Sequence, residues 1–227
     1  MDFHVHTRED PKDYVRYTAR RLFERAAELG FDALAVTNHD QGVYTPALAR
    51  AAEEKGVLLI PGVEITADDA HIVVLNPGFS PRLEGFALRD LPRLRGPQSL
   101  TIAPHPFFHF FKSLRKRLFP LLPWIDAIEF TCYHNALLDL NKAAVRAARA
   151  FGKPLVGNSD SHDLRQFGMT YSLVDAEKDA ASIISAVKAG RIEIRTTPMP
   201  VVSMLRLITN VATVERVRRL IDPRPHP

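Results

Sequence analysis

The sequence predicts an α/β protein built on parallel strands, as a barrel or an open sheet. Short β-branched runs alternate with helical patterns over most of the chain. The helical stretches are closed by glycines, and the chemistry-bearing residues fall at or just past strand ends. The candidate strands are 3–6, 33–37, 57–65, 71–76, 100–104, 125–131, 154–158, 171–174 and 192–196. Each is an apolar run of strand length with turn residues at its ends.

The helices follow the same logic. Between Asp13 and Leu29, the residues Val15, Ala19, Leu22, Ala26 and Leu29 recur at steps of three and four, and Gly30 follows as a stop. Thr45-Pro46 reads as a cap and first helical residue, and Gly56 ends that helix. A third helix is expected from Asn135 to Phe151, closed by Gly152, and a fourth over 179–189. Met204, Leu207, Val211, Val214, Val217 and Ile221 form an apolar stripe in a C-terminal helix. That helix either packs on the domain or pairs with a second copy. The expected division is a domain over 1–198 and a C-terminal helix and tail over 199–227.

Composition narrows the functional classes. Of 227 residues, 46% are hydrophobic and 25% charged, the balance of an ordinary globular chain, which excludes disordered, collagenous and disulfide-scaffold classes. No apolar run is long enough to span a bilayer. A single cysteine, Cys132, and the lack of a basic-then-apolar N-terminus favour a reducing cytoplasm. A net charge of +4 permits an anionic partner without demanding nucleic acid. The oligomeric state is left open.

The nine histidines are informative because of where they fall. His4 and His6 lie two apart, so on a strand both side chains share one face. His39, Glu64, His71, His105, Asp160 and His162 sit at or beside strand ends. In a parallel barrel those ends converge on one face, where active sites are built. Imidazole and carboxylate together suit zinc, manganese or iron. So many ligands exceed the needs of one tetrahedral ion, so two or three divalent ions are expected. Glu64 has two oxygens and can bridge two of them.

Five stretches, taken in order, resemble the motifs of the polymerase and histidinol phosphatase (PHP) superfamily. They are Asp2-Phe3-His4-Val5-His6-Thr7, Thr37-Asn38-His39-Asp40, Pro61-Gly62-Val63-Glu64, Ala103-Pro104-His105-Pro106 and Gly157-Asn158-Ser159-Asp160-Ser161-His162. The resemblance spans about residues 2 to 196. It implies a distorted (β/α)7 barrel with up to three metal ions at the strand ends. It also implies that His4, His6, His39, Glu64, His71, His105, Asp160 and His162 are ligands, with Glu64 bridging. Where many members carry Ser-Asp-Gly after the His-x-His pair, this chain reads Thr7-Arg8-Glu9-Asp10-Pro11-Lys12-Asp13. Asp10 is the expected metal residue there, with Asp13 as the alternative. Thr-Asn-His also replaces the commoner Thr-Asp-His.

The activity the resemblance implies is hydrolysis of a phosphoester. The expected substrate is a small phosphomonoester, nucleotide-like or amino-alcohol-like, attacked in line by a hydroxide bridging the metals. Glu64 and His134 are the expected catalytic groups, His134 as acid to the leaving oxygen. Arg8, Arg115 and Arg165 are expected to bind the substrate's anion. Lys112, Arg115, Lys116 and Arg117 crowd one short segment, which keeps a nuclease reading open beside the phosphatase one. A metal-stabilised module without catalysis is the third reading.

Overall fold

The computed structural model describes residues 1–77, 86–94, 96–109, 111–206 and 209. Local capping starts and stops the helices, and the strands of the main sheet are buried along most of their length. Helix α1 (Ala19–Glu28) starts where the Thr18 hydroxyl accepts from the Arg21 amide, and it buries Ala19, Leu22, Phe23 and Ala26. It begins six residues later than the apolar spacing from Asp13 suggests. Asp10 Oδ1 instead accepts from the amides of Lys12 and Asp13, a local turn that competes with helix. Strand β1 (Ala33–Val36) and helix α2 (Pro46–Glu53), capped by Thr45, follow as expected.

The main sheet has the order β1-β2-β3-β4-β5-β6, with β2 Leu58–Ala67, β3 Ala70–Leu75, β4 Leu100–Ala103, β5 Ala127–Phe130 and β6 Leu155–Gly157, and the one-turn helix α3 (Leu118–Leu121) lies between β4 and β5 in the chain. The expected all-parallel sheet is corrected here. Strand β3 runs antiparallel to both β2 and β4, because only two residues separate β2 from β3. The pairs β1·β2, β4·β5 and β5·β6 are parallel. Strands β7 (Thr170–Val174) and β8 (Ile192–Thr196) form a separate antiparallel pair, joined through helix α5 (Ala180–Lys188).

Residues 3–6 are not a ladder strand. Only isolated bridges join Asp2 to Leu34 and Val5 to Ser161. Side chains take the amides a ladder would pair: Phe3 N donates to Asn158 Oδ1, His4 N to Asp2 Oδ1 and Val5 N to Thr37 Oγ1. The segment still lies between β1 and the chain just after β6, and so draws the two edges of the curled sheet together. One face of the strands supplies Ala35, Ile60, Val73, Ile102, Ala127 and Val156 to an interior cluster that α5 covers with Ile183, Ile184 and Val187. The other face meets α1 and α2 on one side. Helix α4 (Lys142–Phe151) packs on the other through Ala144, Ala147 and Ala148.

Helix α4 begins at Lys142 rather than near Asn135. Asn135 Oδ1 accepts from the amides of Leu137 and Leu138, a turn rather than a cap. Gly152, at φ 60°, ends the helix as expected. Residues 201–206 are helical, with Met204 buried against the cluster of Phe108, Cys132 and Tyr133. Most of the expected C-terminal stripe lies outside the described residues. No helix among the described residues is long and apolar enough to cross a membrane.

Candidate metal centre

The sheet's topology explains the convergence of the site. Parallel β1, β4 and β6 aim their C-terminal ends at one rim, which carries His39, His105 and Asp160. Glu64 lies on β2 and His71 near the start of β3. Because β3 runs antiparallel, its start lies at the same rim, and Thr66 pairs with His71. His4 and His6 arrive on the N-terminal segment beside β1.

Glu64 is the hub, 1% exposed. Its Oε1 lies 3.4 Å from His4 Nε2, 2.9 Å from His71 Nδ1 and 3.5 Å from His105 Nε2. Its Oε2 lies 3.3 Å from His6 Nε2 and 3.0 Å from His39 Nε2. Asp160 Oδ1 stands 3.6 Å from His4 Nε2, 3.5 Å from His6 Nε2 and 3.6 Å from His162 Nδ1. Each oxygen of Glu64 therefore faces its own set of imidazoles.

Toward solvent the cluster ends in two aspartates. Asp13 Oδ2 lies 2.9 Å from His162 Nε2 and 3.5 Å from His39 Nδ1. The side chains of Asp13 and His162 are 42% and 35% exposed, so this edge is the cluster's opening. Asp10 sits deeper. Its Oδ2 accepts from the His39 amide at 2.9 Å and lies 2.8 Å from His6 Nδ1 and 3.0 Å from His39 Nδ1.

Charge is concentrated and mutually supported. Burial opposes the charge on His4, yet Glu129, Glu64 and Asp160 hold its pKa well above the usual imidazole value. His39 is likewise raised to about 9, with burial outweighed by Glu64 and Asp10. Burial would raise Glu64, but His71, His4 and His39 press it well below the ordinary carboxylate range. Asp160 is lowered by His4, His6 and His162 against its burial. Asp13 is lowered mainly by its hydrogen bond to His162. His71 goes the other way, lowered because burial dominates.

The donor set fits divalent cations on an observation independent of resemblance. Glu64 Oε1 is buried and makes no hydrogen bond, although three ring nitrogens surround it at 2.9–3.5 Å. A tetrahedral ion with ligands at about 2.0–2.1 Å places those ligands about 3.4 Å apart. His4 Nε2 and His105 Nε2, at 3.4 and 3.5 Å, stand at that spacing from Oε1. Among the described residues, four triads meet the geometric requirement of one ion each: His4, His6 and Glu64; His6, Asp10 and His39; His6, Asp160 and His162; and His39, Glu64 and His71.

Not every expected residue joins the cluster. His134 Nε2 lies 2.7 Å from Thr196 Oγ1, and its ring packs on Phe130. Arg165 pairs with its neighbour Asp163 at 2.6 Å. The Arg8 guanidinium donates to Arg16 O, and Arg115 donates to His109 O. Glu129 was overlooked in the sequence. It is fully buried on β5, with Oε1 2.8 Å from His4 Nδ1 and Oε2 accepting from the His105 amide at 2.7 Å. The signal available was an acid within an otherwise apolar strand, Ala127-Ile128-Glu129-Phe130.

A curled α/β sheet that gathers buried imidazoles and carboxylates at one rim defines a class of metal-centre proteins. The family model described as PHP-associated matches residues 139–192. An uncharacterized protein of Methanocaldococcus jannaschii is 29% identical over 130 residues, 51% of this chain and 67% of that one. A phosphoribosyl 1,2-cyclic phosphate 1,2-diphosphodiesterase of Eggerthella lenta is 38% identical over 69 residues, 30% of this chain and a quarter of that enzyme. A crystal structure from Bacteroides vulgatus, a two-domain protein containing a predicted PHP-like metal-dependent phosphoesterase, superposes with a TM-score of 0.64 at 21% identity. It covers 86% of this chain and 64% of that one. The chain is thus similar to the PHP-associated family over residues 139–192, and it shares its fold with the Bacteroides vulgatus protein.

Proposed function

We propose that the protein is a metal-dependent phosphoesterase acting on a small phosphomonoester. The observation that carries this reading is Glu64, whose two oxygens face separate imidazole sets and so suit a carboxylate shared between two cations. Bound there, divalent ions of manganese, iron or zinc type would lower the pKa of water and polarise phosphoryl oxygens. His4, His6 and Glu64 would hold one ion, with Asp160 beside them. His39, His71 and Glu64 would hold a second. His162 and Asp13, with Asp160, would serve a third at the opening.

Asp13 suits the role of ligand better than Asp10. Asp10 already accepts from the amides of His39, Lys12 and Asp13 and lies against two imidazole nitrogens, which fits it to orient His6 and His39. Tyr133 donates toward Asp160 Oδ2 at 3.3 Å and steadies that carboxylate. For protonating the leaving oxygen, His134 would have to release Thr196 or use its other nitrogen. His162, half-exposed at the opening, would have to release Asp13 from Nε2 or the Asp160 carbonyl from Nδ1, and replacing each histidine in turn distinguishes them.

A small substrate is favoured because the basic segment is tied to the protein itself. Arg117 donates to the carbonyls of Asp68, Asp69 and Ser113, and Arg115 to that of His109. The test is a panel of phosphomonoesters, a cyclic phosphodiester and a single-stranded oligonucleotide, assayed with added manganese, iron or zinc. The reading expects turnover of a phosphomonoester abolished by a chelator. Turnover confined to the oligonucleotide would replace it with the nuclease reading, and turnover confined to the cyclic diester with a phosphodiesterase.

A further inference from the structure

We propose that Glu129 is the positioning residue for one side of the centre: it sets the ring orientation of His4 and the backbone of His105. The inference rests on the metal-centre reading above and goes beyond it by assigning an outer carboxylate to one ion. Glu129 is fully buried, and three donors converge on its two oxygens. Oε1 faces His4 Nδ1 at 2.8 Å and accepts from Asn158 Nδ2 at 2.9 Å. Oε2 accepts from His105 N at 2.7 Å. Asn158 Oδ1 in turn accepts from Phe3 N, which ties the segment carrying His4 to the same carboxylate.

The consequence is directional. A neutral His4 that donates its Nδ1–H to Glu129 turns a bare Nε2 toward Glu64 Oε1 and Asp160 Oδ1, the atoms that would share a cation with it. A carboxylate behind a ligating histidine fixes the tautomer and raises the basicity of the ring. His105 needs a different kind of support. Its φ is 28°, a strained value for a residue with a side chain, and its amide is held by Glu129 Oε2. His4 and His105 both face Oε1 of Glu64, so Glu129 serves that side. Asp10 plays the matching part on the Oε2 side, against His6 and His39.

The test is zinc binding by the full chain, followed by chelator competition, for the wild type and Glu129→Gln. Glutamine keeps the size but offers one acceptor where three donors require two, so one donor meets an amide NH2. The expected result is one zinc bound about 10–100-fold more weakly, with the remaining zinc affinity unchanged and the metal-free far-ultraviolet dichroism preserved. Unchanged affinity for every zinc, or equal weakening of all, overturns the proposal. A second measurement does not depend on the variant folding. In zinc-loaded wild type with 15N-labelled histidine, His4 should show a protonated, hydrogen-bonded Nδ1 and a zinc-bound Nε2. Zinc on Nδ1 overturns the proposal while leaving the metal centre standing. A wild type that binds no zinc overturns both.

Discussion

Two regions of the molecule carry concentrated charge, and they treat it in opposite ways. In the basic segment of residues 112–117, Arg117 donates to three backbone carbonyls and Lys112 pairs with Asp69. At the rim of the sheet, Glu64 Oε1 is buried among three imidazoles without a hydrogen bond. A charge answered by the protein's own backbone is part of the scaffold. A buried acceptor left unanswered is expensive unless something else arrives to meet it. The contrast separates structure from function without reference to any relative, and it can be broken at either end.

The largest effect is expected at Glu64. Glu64→Gln removes the charge and one of the two acceptors while keeping the volume. Hydrolysis should fall by roughly 1,000-fold or more, since stabilisation by the ions is worth several kcal/mol. Metal content after dialysis should fall below that of the wild type. A variant that kept both its metal and its turnover would show that the unanswered oxygen is not where the chemistry lies.

Acidity gives the second test. His39 is raised to about 9, so a cation binding there must displace a proton at any pH below that. The part of the metal affinity that depends on the His39 proton should rise roughly tenfold per pH unit up to about pH 9. The metal-free protein should behave in the reverse sense. A group raised in the folded state gives stability that is fully present below its unfolded pKa and is lost as pH rises through the folded one. For His39 that window runs from 6.5 to about 9. Asp2, raised by burial to about 7, acts in the same direction from 3.8 upward. Melting curves at pH 6.5 and 9, with and without zinc, should therefore diverge as pH increases.

A third change strikes the scaffold beneath the centre. A Cβ on Gly157 would stand 2.8 Å from Tyr171 O and 2.8 Å from Ile194 Cγ2, in the strand that leads to Asp160. The backbone oxygen cannot swing away, so Gly157→Ala should cost about 1–3 kcal/mol, read from denaturant unfolding. It should weaken metal binding less than Glu64→Gln does.

Much of this cluster is legible in the sequence because candidate metal ligands are of a few chemical types and strand ends must converge. His4, His6, His39, Glu64, His71, His105, Asp160 and His162 could all be read that way. The direction of β3 could not be read, because a run such as His71–Asn76 looks the same whichever way it pairs. The N-terminal segment resisted for another reason. Its amides bond to side-chain oxygens of Asp2, Thr37 and Asn158, which apolar alternation does not encode. Asp10 and Asp13 were both visible, but their roles depend on a turn that Asp10 itself builds. Glu129 was hidden by its strand, where one acid among apolar neighbours looks like an edge position.

The smallest effect is expected where the sequence looks most suggestive. Arg115 and Lys116 are exposed and adjacent, close in sequence to His105. If a polynucleotide were the substrate, they would contact phosphates away from the cleaved bond, and binding would weaken steeply with salt. Neutralising both would then raise KM much more than it lowered kcat, because remote contacts hold substrate and transition state alike. Arg115 is instead directed to the carbonyl of His109, and Arg117 beside it braces the turn at Asp68 and Asp69. Changing Arg115 and Lys116 to glutamine should therefore alter kcat/KM for a phosphomonoester by less than about twofold, below roughly 0.4 kcal/mol. Arg117→Ala should leave turnover alone and lower stability by about 1 kcal/mol, the net worth of a backbone-directed hydrogen bond. If the glutamine pair instead abolished a salt-sensitive oligonucleotide activity, the segment would belong with the centre and the comparison between the two regions would fail.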